Sequence, residues 1–92
     1  MSSITVRIPT PLRPFVEDAP VLNADAETVG AALAQIGARH PGFLQRVMQD
    51  EGELRPYVNV FVGAENVKAV SGLETPVRDG DVVSIIPAVA GG

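Results

Sequence analysis

The chain has 92 residues, enough for one small domain with a single hydrophobic core. It contains no cysteine, which excludes disulfides, thiolate metal sites and cysteine nucleophiles, and a single histidine, which excludes paired-histidine zinc sites. Eleven acidic residues against seven basic ones give a net charge of −4, and this charge argues against nucleic-acid binding, which depends on neutralising phosphates.

The first part of the chain predicts two strands that form a hairpin with a long loop. Three apolar residues alternate with polar ones, as in a half-buried strand: Ile4, Val6 and Ile8. Pro9 ends this strand because proline donates no ladder hydrogen bond. Residues 10–18 include two prolines and are predicted to be a loop. A second strand is predicted over residues 20–24, with Val21 and Leu22 as its apolar residues.

Thr28 precedes the clearest helical pattern in the chain. Three apolar residues recur at the spacing of one helix face: Val29, Leu33 and Ile36. The Thr28 hydroxyl can accept a hydrogen bond from a free amide of the first turn. The sequence His40-Pro41-Gly42 is predicted to end the helix, and another short turn is predicted over residues 43–48.

Two apolar runs in the second half of the chain predict further strands. Over residues 57–62 three valines share one face, and Tyr57, Asn59 and Phe61 share the other. Residues 79–81, Asp-Gly-Asp, indicate a tight turn. The run that follows, residues 82–86, is apolar on both faces and is therefore predicted to be central in its sheet. Proline 87 is predicted to end it.

The order of these elements predicts an α+β fold. A helix separates the first strand from the last, so the two can pair in parallel. The result is a β-grasp, or ubiquitin-like, arrangement: a mixed sheet of four to five strands with one main helix across one face. We expect the β-grasp domain to occupy residues 1–87, and residues 88–92 to form a flexible tail that ends in Gly-Gly.

The C-terminal Gly91-Gly92 pair is the strongest candidate for chemistry. Six residues follow Ile86, and they span about 20 Å when extended, which is enough to enter a partner's active site. Val89, Ala90 and the two glycines are small enough for a narrow channel. The Gly92 carboxylate is ionised at pH 7 and becomes reactive only after attacking the α-phosphate of ATP. A sulfur nucleophile can then displace AMP and leave a thiocarboxylate, whereas a thiol or an amine would give a thioester or an amide. The alternative interpretation is a frayed tail without a role.

A second candidate is a patch on the sheet. If the valines of residues 57–62 face the helix, Tyr57 and Phe61 are exposed, and Ile86 is expected to join them. The patch is either a partner-binding surface or a half-buried sheet surface, and the sequence leaves both open.

No other motif predicts catalysis or a cofactor. His40 has no second histidine to work with, and a single helix-terminal imidazole is a weak candidate for a general base. Pro11 and Pro14 match a polyproline pattern that is common by chance. The acidic residues 50–53 lack the spacing of a calcium loop. We therefore expect no metal, no organic cofactor and no enzymatic activity in the chain itself. We also expect no membrane span and no signal peptide, which leaves the cytoplasm as the default location. Separately, we expect a monomer.

The ending of the chain, residues 84–92 (SIIPAVAGG), resembles the small sulfur-carrier proteins of the MoaD/ThiS family. Residues 79–83 resemble that family's last turn and strand, and Val58-Asn59 its central strand. The opening over residues 8–14, together with the ending, is more similar to the cysteine-biosynthesis carriers of the family. Ile86 stands where the molybdopterin carriers typically have an aromatic residue.

The resemblance implies a set of partner enzymes. An E1-like enzyme would adenylate Gly92, and a sulfurtransferase or sulfide donor would convert it to a thiocarboxylate. In the cysteine branch the acceptor would be a cysteine synthase-like enzyme with an activated serine derivative, and a metalloprotease would free the cysteine. ATP and any zinc would belong to the activating partner, so the carrier itself would hold no cofactor.

Three other functions remain open from the sequence. The nearest is the small subunit of molybdopterin synthase, which uses the same thiocarboxylate. Another is a ubiquitin-like modifier joined to lysines of other proteins; Lys68 is the only lysine of this chain, which argues against a polymer. The last is a β-grasp interaction domain whose tail has no role.

Overall fold

The computed structural model describes residues 2–87. They form a five-stranded mixed sheet with an α-helix across one face. The strands and α-helices in chain order are β1 (Ser2–Arg7), β2 (Val21–Ala26), α1 (Val29–Arg39), α2 (Pro41–Val47), β3 (Val58–Val62), β4 (Glu65–Asn66) and β5 (Val82–Pro87). Three short 3-10 helices cover Thr10–Val16, Val67–Ala69 and Gly72–Glu74. No helix within the described range is long and apolar enough to cross a membrane.

The strand order across the sheet is β2-β1-β5-β3-β4. β1 pairs antiparallel with β2 and parallel with β5, and β5 pairs antiparallel with β3. The predicted hairpin, the parallel pairing of the first and last strands and the central position of the last strand are all confirmed. β5 extends one residue beyond the predicted end, because Pro87 still lies opposite Val58. The β-grasp prediction is therefore correct.

The core lies between α1 and one face of the sheet. Its sheet side consists of alternate residues of β1, β3 and β5, all buried: Ile4, Val6, Val58, Val60, Val83 and Ile85. Val29, Leu33 and Ile36 of α1 are buried against them, as the helical spacing predicted. Each of these side chains stabilises the fold by about 1.5–3 kcal/mol relative to an exposed one.

Both ends of α1 follow the local signals in the sequence. The Thr28 hydroxyl oxygen accepts a hydrogen bond from the Ala31 N–H at 3.1 Å, which caps the first turn. At the other end the His40 N–H donates to the Ile36 carbonyl at 2.8 Å, and the helix stops. Pro41 then begins α2, since proline is tolerated in a first helical turn. The turn predicted over residues 43–48 is this helix.

The loop predicted over residues 10–18 is wrong for most of its length. Thr10–Val16 is a 3-10 helix, with Leu12 and Val16 buried in the core. The prolines do not prevent this helix, because their fixed φ of about −65° lies in the 3-10 range. Pro11 and Pro14 are consequently not part of an extended polyproline segment.

The second strand differs from its prediction in extent and in its buried residues. It runs to Ala26, and its buried residues are Ala24 and Ala26, whereas Val21 is 48% exposed and Leu22 half-buried. Ala24 lies opposite Ile4 on the face that α1 covers. The helix passes close to this strand, so small side chains fill the space that larger ones would overfill.

Residues 79–81 form the predicted turn and join the start of β5 to β1. The Ser3 N–H donates to the Asp79 carboxylate at 2.7 Å, and the Gly80 N–H donates to the Ser3 carbonyl at 2.9 Å. Gly80 has a φ of +85°, which favours glycine. This turn sets the register of the parallel pair.

Gly37 provides a test of how closely the two helices pack. A Cβ atom at this position would lie 2.6 Å from Leu44 Cδ2 and 2.9 Å from Leu44 Cβ. We expect Gly37→Ala to lower the free energy of unfolding by about 1–2 kcal/mol, because the clash outweighs the gain of about 1 kcal/mol in helix propensity. Urea unfolding followed by circular dichroism measures the change.

Two controls accompany that measurement. In the Leu44→Ala background only the contact with the Cβ atom of residue 44, at 2.9 Å, remains, so the same Gly37→Ala change should cost less than in the unchanged protein. Ala34→Gly, at an exposed position of α1, should cost about 1 kcal/mol through propensity alone. A stabilising effect of Gly37→Ala in the otherwise unchanged protein would contradict the close packing of α1 against Leu44.

Candidate functional site

The C-terminal segment begins at one end of the sheet. β5 ends at Pro87, opposite Val58 at the start of β3, and the parallel strand β1 ends alongside at Arg7. The predicted site residues Val89, Ala90, Gly91 and Gly92 lie outside the described residues. Five residues follow Pro87, and a chain of that length spans about 17 Å at most. A partner that acts on Gly92 must therefore approach this end of the sheet.

The three residues of the predicted patch, Tyr57, Phe61 and Ile86, lie on or beside the two strands that meet there. Ile86 is 50% exposed, and Tyr57, which directly precedes β3, is 51% exposed. Phe61 lies on the same sheet face as Ile86, opposite Ser84 of β5. Its expected exposure is only partly correct: Phe61 is half-buried, because β5 flanks it on one side and Asn66 of β4 on the other.

Two asparagines hold the polar part of this face. The Asn66 side-chain amide nitrogen donates to the Asn59 side-chain oxygen Oδ1 at 3.3 Å, and the Asn66 side-chain oxygen Oδ1 accepts from the Lys68 backbone N–H at 3.0 Å. Asn59 lies opposite Ile86 in the β3–β5 pair. The apolar patch is thus interrupted by one fixed polar group that remains able to bond to a partner.

A groove that the sequence did not predict lies on the other side of β5. It has a volume of about 370 Å³, and Arg7, Arg13 and Ile86 are among the residues that line it. The signal that could have revealed it is the parallel pairing itself, since Arg7 comes to lie opposite Ser84 on the face that also carries Ile86. Ile86 therefore belongs both to the apolar patch and to the groove.

The outer edge of the sheet at β2 is closed to a partner strand. The Asp25 N–H donates to the Gln35 side-chain carbonyl at 2.9 Å, and the Gln35 amide donates back to the Asp25 carbonyl at 3.0 Å. The Arg39 guanidinium donates to the Asn23 carbonyl at 3.1 Å. Side chains of α1 thereby occupy backbone groups that an added strand would need.

The weaker sequence candidates lie elsewhere. His40 is half-buried at the junction of α1 and α2. The acidic residues Asp50, Glu51 and Glu53 are exposed in a turn that is closed by a hydrogen bond from the Gln49 N–H to the Glu53 carbonyl at 2.7 Å. Within residues 2–87 no three histidine, aspartate or glutamate side chains are grouped to hold a metal ion.

Comparison with known proteins agrees with this arrangement. The model of the ThiS family matches residues 6–92, and the match reaches the terminal glycines. The chain belongs to the ThiS family. It is 40% identical over 92 residues to the sulfur carrier protein CysO of Mycobacterium tuberculosis, and the match covers 98% of this chain and 99% of that one.

Two further relatives extend the comparison. The fold matches a chain in the crystal structure of the Amycolatopsis orientalis BexX/CysO complex with a TM-score of 0.90 and 39% sequence identity. The match covers 97% of this chain and 99% of that one. Small archaeal modifier protein 3 of Haloferax volcanii is 41% identical over 68 residues, 74% of this chain and 73% of the relative. The CysO relatives support a sulfur carrier of the CysO type.

The different exposure of the two patch residues leads to a stability prediction. Ile86→Asp should lower the free energy of unfolding by about 1 kcal/mol or less, because the side chain is already half in water. Phe61→Asp should cost about 2 kcal/mol or more, because it removes a half-buried ring from between two strands. Urea unfolding of both variants measures the difference, and Ile86→Thr, which keeps the branched β-carbon, is the control. Equal losses for Ile86→Asp and Phe61→Asp would show that their exposure has been assigned wrongly.

Proposed function

We propose that this protein is a sulfur carrier whose Gly92 carboxylate is adenylated by an E1-like enzyme and converted to a thiocarboxylate. The observation that carries the proposal is the family match, which runs through residue 92 and so includes the terminal Gly-Gly. The position of Pro87 supports it, since the last residues start from an end of the sheet where Ile86 and Tyr57 are exposed.

The chemistry explains why the chain needs partners. At pH 7 the terminal carboxylate is ionised, with a pKa of about 3.5 for such a group, and it has no leaving group. Its oxygen attacks the α-phosphorus of ATP and displaces pyrophosphate, which gives an acyl-adenylate. A sulfide sulfur then attacks the carbonyl carbon, a C–S bond forms, and AMP leaves with the oxygen. The chain supplies the carboxylate; ATP, any zinc and the catalytic groups belong to the activating enzyme. In this proposal the chain is a co-substrate and holds no cofactor.

The CysO relatives favour cysteine biosynthesis as the destination of the sulfur. In that pathway the thiocarboxylate sulfur displaces the activating group of a serine derivative bound to a cysteine synthase-like enzyme. The resulting thioester rearranges to an amide between Gly92 and cysteine, and a metalloprotease hydrolyses it. A role as the small subunit of molybdopterin synthase is less favoured, because Ile86 stands where the molybdopterin carriers of the family typically have an aromatic residue.

The central prediction concerns the intact mass of the protein. Incubation with the organism's E1-like enzyme, ATP and sulfide should raise the mass by about 16 Da, the difference between a sulfur and an oxygen atom. The change should require ATP. Deletion of Gly92, or a C-terminal tag, should abolish it while the urea unfolding curve stays unchanged, and Gly91→Val should slow it. Conversion of a C-terminally tagged protein at the native rate would overturn the proposal.

Ile86 is expected to contact the activating enzyme. Ile86→Asp should raise the KM for the carrier in ATP-dependent pyrophosphate exchange by about tenfold, because it places a charge in an apolar contact. Val82→Asp is the matched control: Val82 is exposed on the same face, about 13 Å away at the other end of β5. An equal effect of both variants would contradict docking at the C-terminal end of the strand.

Protein modification is the second candidate, and the similarity to a protein named as a small archaeal modifier favours it. Carrier and modifier share the activated Gly92 and differ in the group that attacks its carbonyl carbon. For a carrier this group is sulfide from a sulfur donor, and for a modifier it is the amine of a lysine. Mass spectrometry of the protein recovered from cells distinguishes them: the carrier yields a thiocarboxylate or a cysteine adduct on Gly92, and the modifier yields isopeptides to lysines of other proteins.

A further inference from the structure

Two arginines border the groove beside the end of β5. The groove has a volume of about 370 Å³ and lies between the end of β1, the segment around Pro20 and β5. Arg7 and Arg13 are its charged residues, and Ile8, Pro9 and Ile86 contribute apolar surface. No carboxylate is among the described residues that line it. The charged side chains of the groove are therefore all positive, although the whole chain has a net charge of −4.

The fold fixes where each arginine starts. Arg7 is the last residue of β1 and is exposed on the open face of the sheet, between Val21 and Ser84 in the two neighbouring strands. Arg13 lies on the 3-10 helix, where its Nε donates to the Ile8 carbonyl at 3.0 Å. This bond anchors the guanidinium and uses one of its five donors. Within residues 2–87 the side-chain nitrogens of Arg7 and the terminal nitrogens of Arg13 make no hydrogen bond, which leaves them available to a ligand.

The position of the groove determines what must cover it. A partner that acts on Gly92 approaches within about 17 Å of Pro87 and covers Ile86, which is also part of the groove. Covering two guanidinium groups without pairing them removes their hydration at a large energetic cost. Carboxylates remove that cost, because they bond the arginine fork in a bidentate geometry.

We propose that this groove receives an acidic segment of the E1-like activating enzyme, whose carboxylates pair with Arg7 and Arg13. The proposal rests on the proposed function, and it adds the charge and the place of the contact. The apolar patch lies on the β3 side of β5 and the groove on the β1 side, so the enzyme would hold the last strand from both flanks. The charge pairs would speed association and reject partners with basic surfaces at this place.

The experiment compares two arginines at opposite ends of the sheet. Arg7→Glu reverses a charge in the groove, and Arg78→Glu makes the same change in net charge at an exposed position before β5. At low salt, Arg7→Glu should raise the KM for the carrier in pyrophosphate exchange by about tenfold or more, with kcat unchanged. Arg78→Glu should change the KM by less than about twofold. Increasing salt should raise the KM of the unchanged protein, because screening weakens the attraction, and should lower the KM of Arg7→Glu or raise it less, because screening also weakens the new repulsion.

Variants of Arg13 separate charge from structure. Arg13→Lys keeps the positive charge, and Arg13→Gln removes it, while both lose the anchoring bond to the Ile8 carbonyl. Arg13→Gln should raise the KM more than Arg13→Lys, and the urea unfolding curves of the two variants should coincide. Should both fail to fold, the comparison of Arg7 with Arg78 still decides.

The possible results distinguish this inference from the proposed function. Adenylation of the unchanged protein with equal effects of Arg7→Glu and Arg78→Glu would overturn the groove contact and leave the carrier function intact. Absence of ATP-dependent adenylation in the unchanged protein would overturn the proposed function, and the inference with it. A large effect of Arg7→Glu on kcat alone would also contradict the proposal, because a docking residue acts on KM.

Discussion

The parallel pairing of β1 with β5 is the contact on which the rest of the structure depends. It joins segments from the two ends of the chain, with Val6 opposite Val83 in the middle of the sheet. The turn at residues 79–81 secures it through the bonds between Ser3, Asp79 and Gly80. A parallel pair requires a crossover connection, and α1 within that connection covers the buried face. The same pairing makes β5 central, with β3 on its other side.

If the proposed function holds, the central position of β5 determines from which sides a partner can approach the start of the C-terminal segment. An edge strand would present its end to a partner from one side only, whereas β5 ends between two neighbours. On the β3 side lie the apolar residues Tyr57 and Phe61, and on the β1 side lies the groove with Arg7. Ile86 belongs to both. In the proposed contact with the activating enzyme, burial of the apolar patch would supply affinity, and charge pairing in the groove would supply association rate and selectivity.

This arrangement is compatible with more than one acceptor. In the proposed function a sulfur carrier and a protein modifier share the same first step, activation of the terminal carboxylate, so both would use the proposed docking surface around the end of β5. They differ only after the carboxylate has been activated, in a reaction that takes place on other proteins. This accounts for the similarity of one chain both to CysO and to a small archaeal modifier. Under the proposed function, the domain would be the part that partners recognise, and residue 92 the part that reacts.

Elements whose signals are local could be predicted from the sequence alone. The stripe of Val29, Leu33 and Ile36 and the cap at Thr28 define α1, because both depend on residues within one or two helical turns. The terminal glycines and their resemblance to known carriers gave the functional hypothesis. The sequence did not predict the 3-10 helix over Thr10–Val16, because its prolines favour a loop. The helix forms because Leu12 and Val16 are buried in the core, which a local pattern does not show.

Features that depend on residues distant in the chain follow from the three-dimensional packing and not from local patterns. Ala24 is buried because α1 passes over β2, although alanine by itself gives a weak hydrophobic signal. Phe61 is half-buried because strands flank it on both sides. Arg7 and Ile86 share a groove because β1 and β5, more than 70 residues apart in the chain, pair in parallel. Periodicity within a segment shows which residues share a face, but it carries no information about which segments become neighbours.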